Sequence, residues 1–73
     1  METIKVYFMY NYSRRGGKYR MGAKISGNNG VIEIITTCKG QTEGGVNYDE
    51  QINDLQKRIE KKYKNYNINY INL

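Results

Sequence analysis

The stretch from residue 48 to residue 64 carries the one sustained helical period in this sequence. Its apolar and aromatic residues recur at steps of three and four and so stack on one face: Tyr48, Ile52, Leu55, Ile59 and Tyr63. Asn47 is predicted to cap the first turn with Glu50 reaching back to it, and a lysine-rich last turn suits the helix dipole. Because the apolar stripe is narrow, the helix can cover one face of a small sheet but cannot form a bundle.

Two segments ahead of the helix alternate their side chains and are predicted as strands, residues 3–12 and 18–26. The side predicted to face the helix carries the more apolar members: Ile4, Val6, Phe8, Tyr10, Tyr19, Met21, Ala23 and Ile25. Between the two strands, SRRGG at residues 13–17 is predicted as a loop with Arg14 and Arg15 at its tip.

A third strand is predicted at residues 31–39, after a tight turn at residues 27–30 whose Asn and Gly tolerate positive φ. One set of its side chains is assigned to the helix side: Ile32, Ile34, Thr36 and Cys38. The alternate set is assigned to the opposite side: Val31, Glu33, Ile35 and Thr37. Residues 40–46 are predicted as a polar connection to the helix. Asn65 is predicted to cap the helix C-terminus, and residues 66–71 to form a last short strand.

These elements predict an α+β domain of order β-β-β-α-β over residues 1–73. If the first three strands form an antiparallel meander, a right-handed crossover through the helix places the last strand parallel to the first. The predicted product is a four-stranded mixed sheet of order 3-2-1-4 with the helix packed on one face. The other face is then predicted to be uncovered, with a mixed basic, aromatic and aliphatic surface.

Composition excludes several classes of protein. A single cysteine and the absence of histidine leave no internal disulfide and no Cys/His cluster for zinc. No run of about 18 apolar residues is present, and the first residues alternate as a strand would, so we expect a soluble, cytoplasmic protein without membrane contact. No cofactor is predicted.

The net charge of +5 is unevenly distributed. Residues 1–46 hold seven basic and three acidic side chains, whereas residues 47–73 hold five and four. Such an excess suits a polyanion or an acidic protein surface, although a small soluble domain also carries net charge without any such partner. Asn, Lys, Ile and Tyr make up nearly half of the chain, which indicates an AT-rich bacterial, phage or plasmid genome.

The element order, together with GGKYRMGAKISG at residues 16–27, resembles the first half of the ribonuclease H-like fold. In that family the first strand carries a metal-binding Asp, whose place falls here at Met9. The helix Glu of the family corresponds to Glu50, and the Asp that ends its fourth strand falls where this chain has Asn72 and Leu73. Since two of the three acids are absent, the resemblance implies the layout without two-metal nuclease activity.

Other catalytic sites are not indicated either. Cys38 has no histidine to activate it and is predicted to be a buried structural thiol. Asp49 and Glu50 are accounted for by capping at the helix start, and the glycine pairs match neither a P-loop nor a dinucleotide fingerprint. We therefore expect a protein that is not an enzyme.

Two functional hypotheses remain, with a third behind them. The first is a small inhibitor that docks on a large host protein or nucleoprotein complex; in size, single-domain organisation and composition the chain is similar to anti-CRISPR proteins. The second is a module that binds DNA or RNA directly, with basic residues on phosphates and tyrosines, including Tyr10 and Tyr19, stacking on bases. The third is a homodimer that buries the open face against itself. The predicted partner-binding residues are Lys5, Tyr7, Tyr12, Arg14, Arg15, Lys18, Arg20, Lys24 and Ile35.

Overall fold

The computed structural model describes residues 1–42 and 45–73. Its elements in chain order are β1 (Thr3–Arg15), β2 (Lys18–Gly27), β3 (Gly30–Thr36), β4 (Gln41–Thr42), β5 (Gly45–Val46), α1 (Tyr48–Lys62) and β6 (Asn67–Tyr70). The short strands β4 and β5 pair with each other, where the sequence had predicted only a connection; residues 43–44 of that connection lie outside the described residues.

The four longer strands form one sheet of order β3-β2-β1-β6. The β1–β2 and β2–β3 pairs are antiparallel, and β6 runs parallel to β1 after the crossover through α1. The predicted α+β class and the predicted strand order are therefore confirmed. The order follows from an antiparallel meander and a right-handed crossover through α1.

The first hairpin is longer than predicted, because β1 continues through Arg14 and Arg15 instead of ending in a loop. The connection is only Gly16 and Gly17, with φ of 59° and 76°. Two successive positive φ angles characterise the type I′ turn, whose twist matches that of the flanking strands and which glycine adopts without steric cost. The two arginines thus lie in paired strand, opposite Tyr19 and Lys18.

The helix begins as predicted and ends earlier. The Asn47 side chain accepts a hydrogen bond from the Glu50 N–H at 3.1 Å. At the other end the N–H of Tyr63 bonds to the Ile59 carbonyl at 2.8 Å, so that Tyr63, and not Asn65, is the C-cap.

The core lies between α1 and the central strands. Its buried apolar residues are Ile4, Val6, Phe8, Met21, Ala23, Ile25, Leu55, Ile59 and Tyr63. The predicted helix side of β1 and β2 is therefore correct along their central portions. Tyr10 and Tyr19, at the far end of the same side, are exposed, although the Tyr10 ring packs edge-on against Tyr48 at the start of α1, with ring centroids 5.2 Å apart.

The side-chain assignment of β3 is wrong from Glu33 onwards, although Val31, opposite Ser26, lies on the predicted side. A β-bulge between Ile25 and Ser26 on β2 leaves one extra residue on β3, so that Ala23 pairs with Ile35 and Lys24 with Ile34. Without a bulge, regular pairing from the turn would place Ile34 opposite Ala23. Ile34 would then lie on the helix side of the sheet, as predicted. One inserted residue moves every following side chain to the other face.

The residues that this shift turns inward make contacts with the helix. Ile35 packs against the core, and the buried Thr37 donates a hydrogen bond to Asp54 at 2.6 Å. Ile34 and Cys38, predicted to face the helix, are exposed. Cys38 is therefore not the buried thiol that the sequence suggested.

Candidate binding face

The side of the four-stranded sheet away from α1 is called the open face here. No element in the described part of the chain packs on it. Strand parity and register bring its side chains together from three strands: Lys5, Tyr7 and Met9 of β1, Arg20 and Lys24 of β2, and Ile34 of β3. A bulge in β1 adds Tyr12.

The centre of the open face is a lysine beside a tyrosine. Tyr7 and Lys24 are register partners on β1 and β2, and the Lys24 Nζ lies 5.6 Å from the centroid of the Tyr7 ring. This separation is within the range of a cation–π contact, worth about 0.5–1 kcal/mol at an exposed site. Tyr7 is nevertheless 45% exposed, so its ring remains available to a partner.

A second exposed ring is positioned by an irregularity in β1. Three residues of β1, numbers 10–12, stand opposite Met21 alone, and Asn11 in this bulge has a φ of 53°. The bulge directs Tyr12 over Gly22, where a Cβ atom would come within 2.9 Å of the Tyr12 ring and 3.1 Å of the Met9 methyl group. Glycine is required at this position because the two side chains cover the backbone directly.

Arg20 and Cys38 meet near the end of the open face, where the guanidinium of Arg20 contacts the thiol sulfur. The chain contains no histidine that could act as a base for this thiol.

The positive charge of the open face is not offset by a carboxylate from β1, β2 or β3. No acidic residue occurs between Glu2 and Glu33, and Glu33 is turned towards the helix by the bulge. There its carboxylate accepts hydrogen bonds from Lys62, at 2.5 Å, and from the Tyr63 hydroxyl.

These contacts change the acidity of both partners. The hydrogen bonds from Lys62 and Tyr63 lower the pKa of Glu33. Burial, followed by the bond to Glu33, raises the pKa of Tyr63 to about 12. The carboxylate is thus held ionised on the helix side, away from the basic residues of the open face.

The structure places the nine predicted partner-binding residues in three groups. Five lie together on the open face: Lys5, Tyr7, Tyr12, Arg20 and Lys24. Arg14, Arg15 and Lys18 lie beyond the sheet at the end of the first hairpin, with the Arg14 guanidinium 5.2 Å from the Tyr19 ring centroid.

Ile35 does not belong to the site, because it packs on the helix side. Its neighbour Ile34, 43% exposed beside Lys24, takes its place on the open face and was missed. Both positions are isoleucine, so the residue types carried no signal for this exchange.

No group of three or more His, Cys, Asp or Glu side chains suited to a metal ion occurs in residues 1–42 and 45–73. Glu50, the residue that corresponds to the helix Glu of the ribonuclease H-like family, is exposed in the first turn of α1. None of the described helices is both long and apolar enough to cross a membrane.

Comparisons with protein-family models, with curated proteins and with solved structures gave no match to this chain.

Proposed function

We propose that this protein is a non-enzymatic inhibitor that docks through its open face on a large nucleoprotein complex of a bacterial host, in the manner of anti-CRISPR proteins. It acts in the host cytoplasm and is encoded by a phage or another mobile element. The observation that supports docking is the uncovered sheet face itself, which combines cations, exposed aromatic rings and an exposed aliphatic side chain. The assignment to a defence complex rests on size and composition.

The chemistry of the open face suits a protein surface that also carries nucleic acid. Aromatic residues and arginine are enriched in the centres of protein interfaces, and Tyr7, Tyr12 and Arg20 provide these types on one side of the sheet. The exposed Ile34 adds an aliphatic side chain beside them. Lys5 and Lys24 add positive charge without a neighbouring carboxylate, which attracts an acidic or nucleic-acid-bearing partner.

A phage-protection assay tests this proposal. The protein is expressed in a bacterium whose CRISPR system restricts a phage, and plaque formation is compared with that of an empty-vector strain. Wild type is expected to restore plaquing, and Arg20→Glu/Lys24→Glu to reduce the restoration at least tenfold. Lys57→Glu/Lys61→Glu, which makes the same charge change on exposed helix positions, is the control and should retain it.

The complex is then recovered by pull-down with and without nuclease treatment. Recovery of the same defence complex in both samples supports docking on protein. Absence of protection across the main classes of CRISPR system, together with no recovered complex, would reject the proposal. Circular dichroism and thermal melting show whether each variant is folded.

Direct binding of single-stranded nucleic acid is the second candidate, favoured by the exposure of Tyr7 and Tyr12. The two rings lie against β2 at Lys24 and Gly22, two residues apart, or about 7 Å along the strand. Stacking of a base on an aromatic ring is worth about 1–3 kcal/mol. If this candidate is correct, wild type binds a single-stranded oligonucleotide and the Tyr7→Ala variant binds it about tenfold or more weakly. The pull-down then recovers nucleic acid alone.

A homodimer that buries the open face against itself is the third arrangement. It brings Lys5, Lys24 and Arg20 of two copies together, which opposes association. Sedimentation at several concentrations distinguishes it, since the proposed inhibitor is a monomer when its partner is absent.

A further inference from the structure

The end of the first hairpin projects beyond the sheet. The segment Ser13–Arg20, called the arm here, consists of three register pairs and the Gly16–Gly17 turn. The last β2–β3 register pair is Gly22 with Thr36, and the last β1–β6 pair is Val6 with Tyr70. The molecule is correspondingly elongated, with extents of 42 × 19 × 18 Å.

The base of the arm is anchored, and its tip is open. The buried Gln51 side chain of α1 donates a hydrogen bond to the Tyr19 carbonyl at 3.2 Å. Around Gly16 and Gly17, by contrast, no described atom lies within 4 Å of where a Cβ would stand. β2 is also in contact with β4 and β5. The arm is therefore a two-stranded ribbon supported at its base, with a narrow, side-chain-free tip at Gly16 and Gly17.

The charge of the arm is entirely positive. Four of its eight residues are Lys or Arg and none is acidic. By strand parity Arg14 lies on one side of the ribbon with Tyr19, while Arg15, Lys18 and Arg20 lie on the other. No ion pair of the arm is present among the described residues.

We propose that the arm enters the major groove of duplex DNA. This groove, about 12 Å wide and 8.5 Å deep, admits a two-stranded β-ribbon. Beyond Tyr19, whose carbonyl is bonded to Gln51, the arm runs about two residues to its tip, or about 7 Å, which covers most of the groove depth. Cations on both sides of the ribbon face the phosphates of both groove walls, whereas a flat partner would meet only one side.

The groove geometry gives this inference a selectivity that charge alone does not. The major groove of A-form RNA is deep and narrow, so side chains cannot reach into it, and a ribbon is excluded. A duplex RNA carries phosphate charge comparable to that of duplex DNA. Preference for the DNA duplex would therefore indicate groove entry, whereas charge attraction alone would bind both. The arm shares Arg20 with the open face, but Arg14, Arg15 and Lys18 lie outside the open face, so variants at these three residues distinguish the two proposals.

The test measures fluorescence anisotropy at about 50 mM salt with a 20-base-pair DNA duplex, an RNA duplex of the same sequence, a single strand and a poly-glutamate peptide. Arg14→Glu/Arg15→Glu/Lys18→Glu is expected to weaken binding to the DNA duplex at least tenfold. Lys57→Glu/Lys61→Glu/Lys64→Glu, the matched reversal on α1 and just beyond it, should change it less than threefold. Tyr7→Ala should leave it unchanged.

Salt dependence provides a second reading that does not depend on charge reversal. Each phosphate contact contributes about one unit to the slope of log affinity against log salt. Arg14→Ala/Arg15→Ala/Lys18→Ala should therefore reduce the slope by about two to three units. Circular dichroism of all variants verifies that the sheet is intact.

Several outcomes would overturn the inference. The first is that the protein does not bind the DNA duplex, and the second is that the arm and control variants lose the same affinity for it. The third is that an RNA duplex binds as tightly as DNA, and the fourth is that poly-glutamate binds through the arm with the same affinity as DNA. Loss of duplex binding in the arm variant with phage protection intact leaves the proposed function standing. Loss of protection only in the open-face variant leaves the arm inference standing.

Discussion

The orientation of β3 can be tested with two adjacent isoleucines of opposite environment. Ile35 packs against the core opposite Ala23, whereas Ile34 is 43% exposed opposite Lys24. Ile→Ala in a full core costs about 2–5 kcal/mol, and a half-buried edge position such as Ile35 should lose about 1–3 kcal/mol. Ile34 is not packed against the core, so Ile34→Ala should cost less, within about 0.5 kcal/mol. The intrinsic preference of isoleucine for strands is common to both variants and cancels in the comparison.

Urea denaturation followed by circular dichroism measures the difference. With a slope of about 1 kcal/mol per molar urea for a small domain, the Ile35→Ala midpoint should fall by about 1–3 M and the Ile34→Ala midpoint by less than 0.5 M. The slopes themselves should be equal, since both variants unfold the same surface. Equal losses, or a larger loss at Ile34, would show that the bulge does not invert the strand.

Four further predictions concern the helix, its partners and the C-terminal strand. Leu55→Ala, at a fully buried helix position, should cost about 3–5 kcal/mol and leave the domain largely unfolded by thermal melting. The pKa of Tyr63 is raised to about 12 from 10.0, so the protonated hydroxyl favours the folded state, and this contribution is fully present below pH 10. In urea titrations the stability advantage of wild type over Tyr63→Phe should therefore decrease by about 2–3 kcal/mol as the pH rises through 12. The pKa of Glu33 is lowered, so its ionised form favours the folded state. The stability advantage of wild type over Glu33→Gln should therefore be lost as the pH falls below 4.5. Asn72→Ala removes two hydrogen bonds to the Phe8 backbone and should lower stability by about 1–3 kcal/mol, measured by the urea midpoint.

The sequence predicted the strand order and the helix because their signals are local. The stripe from Tyr48 to Tyr63 fixes the buried side of α1, and the strict alternation from Lys18 to Ile25 fixes that of β2. The handedness of the crossover then leaves one position for β6. Each of these inferences uses only neighbouring residues and a general rule of chain geometry.

The orientation of β3 was not predictable in the same way, because isoleucine occurs on both of its sides. At the bulge the Ile32 side chain lies against Gly27, where a Cβ would come within 3.2 Å of it. Glu33 and Thr37 are polar, yet each bonds to a helix residue, so polarity did not mark the exposed side. The same shift exposed Cys38.

Within the candidate site, parity alone correctly grouped Lys5 with Tyr7 on β1 and Arg20 with Lys24 on β2. It did not predict that Tyr12 lies over Gly22, since the β1 bulge that turns this ring has no sequence pattern of its own. The division between the open face and the arm also depends on where β3 stops pairing with β2, which the sequence did not reveal.

The Asn72 side chain reaches the Phe8 backbone across 64 residues, donating to its carbonyl at 2.7 Å and accepting from its N–H at 2.8 Å. Contacts between residues so far apart form only after a long loop has closed, at a cost in chain entropy, and such pairing slows folding. The β1–β2–β3 meander needs only short closures. Folding should therefore begin in the meander, and the pairing of β6 with β1 should be among the last steps. Until then the unpaired edge of β1 is open to association with another chain, so refolding yield should decrease as protein concentration increases.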